Sequence, residues 1–260
     1  MLLRRITEHV KDQNWFVVGL DFIIVVVGVF FGIQIGNWND DRLDHIAYQK
    51  AYTRMVVEVR SNIATAERVL ELGSPIVENF QTAIEDIRLC RTGPEARARI
   101  DDAINALIIT MSPIFRDSAI SQLTQSERLL EQQSPERMEQ YAGYARTLNT
   151  TIAWGGKVQD KMESRSDDLH PFIDYGALLS PSDDTRIGSD RSLILSADLN
   201  EACLDHAFRK MLYDWESGHT YQLNLLRSFI DVSETYLEDI GEETALPDTI
   251  GQNNRPGERE

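Results

Sequence analysis

The sequence predicts an all-α fold: an N-terminal transmembrane helix that continues into an antiparallel helical bundle with long first and last helices. Three observations predict it. Residues 15–38 are almost wholly apolar. Apolar residues then recur every three or four positions through most of residues 40–240, the spacing of a helix face. Strand-like alternation of any length is missing from the same region.

The span Trp15–Trp38 reads WFVVGLDFIIVVVGVFFGIQIGNW. A bilayer core needs roughly 20 apolar residues in a helix. Trp15 and Trp38 stand at its two ends, where an amphipathic ring favours the headgroup boundary. A cleaved signal peptide is the main alternative, but its apolar region is shorter and ends in a small-x-small site. Here the run ends in Gln34-Ile-Gly-Asn-Trp-Asn-Asp. Gly28, Gly32 and Gly36 fall every fourth residue and so form a row that lets a second helix approach closely. That row is the predicted helix-packing face of a homo-oligomer, against the simpler reading that Gly is common in membrane helices. Before the closing Asn37-Trp38, Asp21 and Gln34 are the strongly polar groups of the span. Asp21 reaches either the headgroups or a polar partner on a neighbouring helix.

These residues carry a resemblance. Gly19-Leu-Asp21, the apolar run with Gly28 and Gly32, and the exit Gln34-Ile-Gly-Asn37-Trp38-Asn39-Asp40 resemble a family of uncharacterised single-pass bacterial inner-membrane proteins. The likeness covers roughly residues 1–45. It implies a bacterial inner-membrane location and no catalytic residue.

The 260-residue chain has a formal net charge of −16. Residues 1–39 hold three basic and three acidic residues, so all of that charge falls in residues 40–260. Such a domain repels phosphate backbones, and nucleic acid is excluded as a partner. Arg4, Arg5 and Lys11 precede the span; Arg42 and Lys50 follow it. By the positive-inside rule the N-terminus is cytoplasmic and the domain beyond the span periplasmic. Cys90 and Cys203, the two cysteines, would there form a disulfide or remain buried thiols.

Residues 1–14 place Leu2, Leu3, Ile6 and Val10 at helical spacing, a short basic interfacial lead. Residues 40–72 carry the stripe Tyr52, Val56, Val59, Ile63, Ala66 and Leu70, so the membrane helix extends into the domain as a rod. Gly73 is expected to close it, with Ser74-Pro75 opening a helix over 75–91. Further helices are expected over 94–111, 117–132 and 135–166. Residues 167–197 read as an irregular loop, with a short extended piece at 192–196, and as the best candidate for a binding loop. Residues 198–240 keep one stripe from Leu204 to Tyr236 through Gly218, favouring one long helix over a hairpin there. Residues 241–260 read as a disordered polar tail.

No catalytic constellation is present. The five histidines form no HExxH pattern, and the one Glu-x-x-His, Glu216 to His219, lacks the second pair a di-iron bundle needs. P-loop, GxGxxG and GxSxG patterns are missing. No cofactor or metal is expected. The expected partners are the lipid bilayer, a second copy of the chain and a protein partner of unknown identity. Function is expected to be that of a membrane-anchored interaction or scaffold module. The alternative is a ligand-sensing bundle acting through a partner.

Overall fold

The computed structural model describes residues 15–109, 111–166, 169–178 and 191–241. The basic lead, the central part of the 167–197 loop and nearly all of the polar tail lie outside them. Helix α1 spans Trp15–Arg88 and is followed by α2 (Pro94–Asn105) and a 3-10 turn at Ala106–Ile108. Then come α3 (Ser118–Gln125), α4 (Glu127–Leu130), α5 (Pro135–Ser166), β1 (Ile173–Leu178), β2 (Arg191–Leu195), α6 (Leu199–Leu204) and α7 (His206–Asp239). The all-α class with long first and last helices is what the chain adopts.

Helix α1 is a rod of 74 residues, about 110 Å at 1.5 Å per residue. It does not stop at Gly73. The helix passes through Pro75, which sacrifices the hydrogen bond to the Glu71 carbonyl. Tertiary packing offsets that loss. A Cβ on Gly73 would lie 2.7 Å from Met111 Sδ and 2.8 Å from Leu223 Cδ2. Gly73 therefore serves close helix packing rather than chain reversal. Beyond it, Val77, Phe80, Ala83 and Ile87 are buried, and that burial continues the helix past the proline.

The rod backs two cores stacked along its length. The lower contains Met55, Val59 and Ala66 of α1, Ile120 and Leu123 of α3, Tyr141 and Leu148 of α5, and Phe229 and Leu237 of α7. The upper contains Phe80 and Ile87 of α1, Ile100 and Ile104 of α2, Leu193 and Leu195 of β2, and Phe208 and Trp215 of α7. Val77, Met111 and Leu223 join them at the level of Gly73. Helix α7 thus runs antiparallel to the rod and reaches from the upper core to the lower. It passes Gly218 without a break.

Its start differs from expectation. Asp198 and Asp205 each accept a backbone N–H, from Asn200 at 2.8 Å and Phe208 at 2.7 Å. Two N-caps seven residues apart require two helices, and the chain breaks at Asp205. The packing stripe also shifts. Leu204 and Val232 face solvent, whereas Leu212, His219 and Ser233 are buried. A 4-3 repeat averages 3.5 residues per turn and slips by about 20° per heptad against a straight helix of 3.6. Likewise, the helix expected over 94–111 ends at Asn105, and the one over 117–132 is divided at Ser126.

Within the 167–197 segment, β1 and β2 form an antiparallel hairpin, pairing Ile173 with Leu195 and Tyr175 with Leu193. The extended piece expected at 192–196 is its second strand; the first was hidden by a Gly in IDYGAL. Helix α2 completes the other edge of β2. Asp101 Oδ1 accepts from Leu195 N at 2.8 Å and Asn105 Oδ1 from Leu193 N at 2.7 Å. Arg97 donates to the carbonyls of Leu195 and Ala197. Side chains one turn apart on a helix thus take the place of a third strand.

Rod side chains also seat α3. Glu58 accepts from Ser118 Oγ at 2.7 Å and from Ala119 N at 2.8 Å, capping the helix from outside. Asn62 exchanges two hydrogen bonds with the backbone of Arg116, at 2.7 and 2.8 Å.

Candidate functional site

The apolar part of the rod is the first candidate. One helix among the described residues is long and apolar enough to cross a membrane, and its apolar window is entirely unburied within the chain. Trp38 is 67% exposed. Trp15 begins the helix, but its side chain lies outside the described residues. At Gly28, Gly32 and Gly36 an added Cβ would meet nothing within 4 Å.

The register of a single rod relates this segment to the bundle. At about 100° per residue the three glycines fall within roughly 80° of arc. Met55, Val59, Ile63 and Ala66, all buried in the lower core, lie roughly on the opposite side. The bundle therefore occupies the far side of the rod, and the glycine row faces away from it. Exposed Leu43 and Ile46 prolong the glycine side past Trp38. Asp21, two turns before Gly28, shares that side. Gln34 does not: it points away from the glycines, so Asp21 and Gln34 do not converge.

The second candidate is the Cys90–Cys203 pair, joined as a disulfide with Cα atoms 5.3 Å apart. The rod ends just before Cys90 in a Schellman motif. Arg91 N donates to Asp86 O at 2.9 Å and Cys90 N to Ile87 O at 3.2 Å. Cys90 takes the left-handed position with φ 46°, where Gly is the usual residue. The disulfide accounts for the exception, since Gly could not tie this turn to α6. Asp86, fully buried, accepts from Arg99 Nε at 2.6 Å and Arg91 Nη1 at 3.1 Å. The Arg99 hydrogen bond, helped by Arg91, holds its carboxyl below the usual range. This buried carboxylate, held by two partly exposed arginines, clamps the turn from which Cys90 projects.

Glu216 and His219 do not form a joint metal site. Glu216 accepts from Gln81 Nε2 and from Thr220 Oγ1 at the surface. His219 is 1% exposed, and its ring lies 5.7 Å from Phe80 and 5.8 Å from Trp215. Among the described residues neither ring nitrogen has a hydrogen-bond partner, nor does Trp215 Nε1. Burial lowers the His219 pKa to about 4, so at neutral pH the ring is an uncharged core group. Among the described residues no group of three or more His, Cys, Asp or Glu is placed to hold a metal.

Asp86 escapes the sequence, and the structural roles of His219 and Gly73 differ from those their sequence patterns suggest. Asp86 gave no signal, being one carboxylate in an acidic chain. His219 was visible only as half of a motif. Gly73, two residues before Pro75, has the sequence pattern of a helix end. Comparison of the chain with protein-family models, with curated proteins and with solved structures found no match.

Proposed function

We propose that this protein is a single-pass membrane-anchored helical module that self-associates through the Gly28–Gly32–Gly36 face and presents its bundle to a protein partner. The observation that carries the reading is the register of the rod. The small-residue face is open and points away from the bundle, so a second rod can approach it without meeting the first bundle. Asp21 on the same side gives the pair a polar contact within the membrane. The Cys90–Cys203 bond supports an oxidising, periplasmic setting for the domain. The basic residues before Trp15 support a cytoplasmic N-terminus. The Gly19–Asp21 entry and Asn37–Asn39 exit support a place among single-pass bacterial inner-membrane proteins.

A second reading, a ligand sensor acting through a partner, is favoured by one feature. The rod is unbroken from the apolar segment to the upper core, so a displacement at one end reaches the other.

Crosslinking in native membranes tests the first reading. With the native disulfide retained, Val25→Cys on the glycine side should give covalent dimers under oxidation, and Phe30→Cys on the opposite side should not. Adding Gly32→Ile should abolish the Val25→Cys dimer. Equal crosslinking from both sides would refute the proposed face. Reporters fused to the two ends of the chain test orientation independently.

A further inference from the structure

Beside the disulfide, the end of the rod and the start of α7 enclose a groove of about 480 Å³, within the size range of small-molecule sites. Its floor is apolar: Ile84 and Ile87 from the rod, Leu212 from α7. Its rim is basic. His206, Arg209 and Lys210 share one face of α7 with Tyr213, and Arg88 faces them from the rod. Arg88 is engaged by Glu85 and Lys210 by Asp214. Arg209 has no ion-pair partner among the described residues, and the residue is exposed. With Arg88 and Lys210 neutralised by these carboxylates, Arg209 is the rim's remaining positive charge, set over an apolar floor in a chain of net charge −16.

We infer that this groove binds a small amphiphilic anion: an apolar body against Ile84, Leu212 and the Tyr213 ring, and a carboxylate or phosphate head at Arg209. Charge complementarity selects the head, because Arg offers a forked donor matched to either oxyanion. The apolar floor selects the body. The disulfide pre-organises both walls. Cys90 stands two residues past Arg88 and Cys203 three residues before His206, so one covalent bond holds the helices at fixed spacing. A lipid of the bilayer around Trp38 is not the ligand. Ile84 lies 46 residues further along an unbroken helix, roughly 70 Å away along its axis. The inference does not depend on self-association through the glycine face.

The test uses the full chain in nanodiscs of zwitterionic lipid, with empty nanodiscs subtracted. Octanoate, octyl phosphate and octanol are titrated by calorimetry. At least one of the two anions should bind saturably, one per chain, at least about tenfold tighter than octanol. Which anion wins distinguishes a carboxylate from a phosphate head. Arg209→Glu should abolish the binding while leaving the circular dichroism spectrum and the Val25→Cys crosslink unchanged. Reduction of the disulfide should weaken it. Absence of saturable binding by both anions, equal binding of octanol, or unaltered binding by Arg209→Glu would each overturn the inference.

Discussion

His219 makes the bundle acid-labile in a defined window. The ring stays neutral in the folded chain down to about pH 4, whereas an unfolded His takes up a proton near pH 6.5. Between those values the unfolded state holds more protons, so stability falls as pH falls. It is fully present above about pH 6.5 and the loss is complete near pH 4. A shift of this size corresponds to about 3 kcal/mol in all, of which about 2 kcal/mol is lost between pH 7 and pH 5. The window is clean at its upper end. Carboxylates such as Asp86 and Asp205, held below their ordinary values, withdraw their stability mostly below about pH 4. The assay is urea unfolding of the full chain in micelles, followed by far-ultraviolet circular dichroism at pH 7, 6 and 5. His219→Phe keeps a ring between Phe80 and Trp215 and removes two unpartnered nitrogens. It should be close to neutral at pH 7 and should remove most of the loss at pH 5. An unchanged loss in His219→Phe would refute the reasoning and place the titrating group elsewhere.

Other perturbations have equally direct readouts. Cys90 and Cys203 are 113 residues apart in sequence, and closing such a loop restricts the unfolded chain by about 4.8 kcal/mol in the entropic account. Reduction should therefore lower Tm by roughly 10–19 °C for a domain of this size, and thiol labelling of denatured, unreduced protein should find no free cysteine. With the bond removed, Cys90→Gly/Cys203→Ser should exceed Cys90→Ala/Cys203→Ser in stability by about 1 kcal/mol, because only Gly is unstrained at the left-handed turn. Glu58→Ala removes the external cap of α3 and should cost about 2 kcal/mol in urea unfolding. Gly73→Val drives a branched side chain into Met111 and Leu223, and should cost about 2–3 kcal/mol despite the better helix propensity.

Sequence alone determined the class of the fold, the apolar helix and the direction of most packing stripes. These are local properties. A run of Val, Ile and Phe is apolar whatever surrounds it, and a stripe such as Val56, Val59, Ile63 and Ala66 depends only on helix period. The two cysteines were visible as a pair, but their bond required the end of the rod and α6 to meet across 113 residues. Tertiary structure decided everything in which a distant partner outweighs a local signal. Pro75 is a breaker by itself, yet Met111 and Leu223 packed on Gly73 and the buried residues beyond it keep the helix whole. Strand β2 has too short a pattern to announce itself; Asp101 and Asn105, nearly a hundred residues earlier, satisfy its backbone. The polar His219 looked like half a metal motif until Phe80 and Trp215 enclosed it. The glycine row was legible from spacing, but its orientation away from the bundle was not. That relation exists only because one rod carries the register of the apolar segment, without a break, into the core.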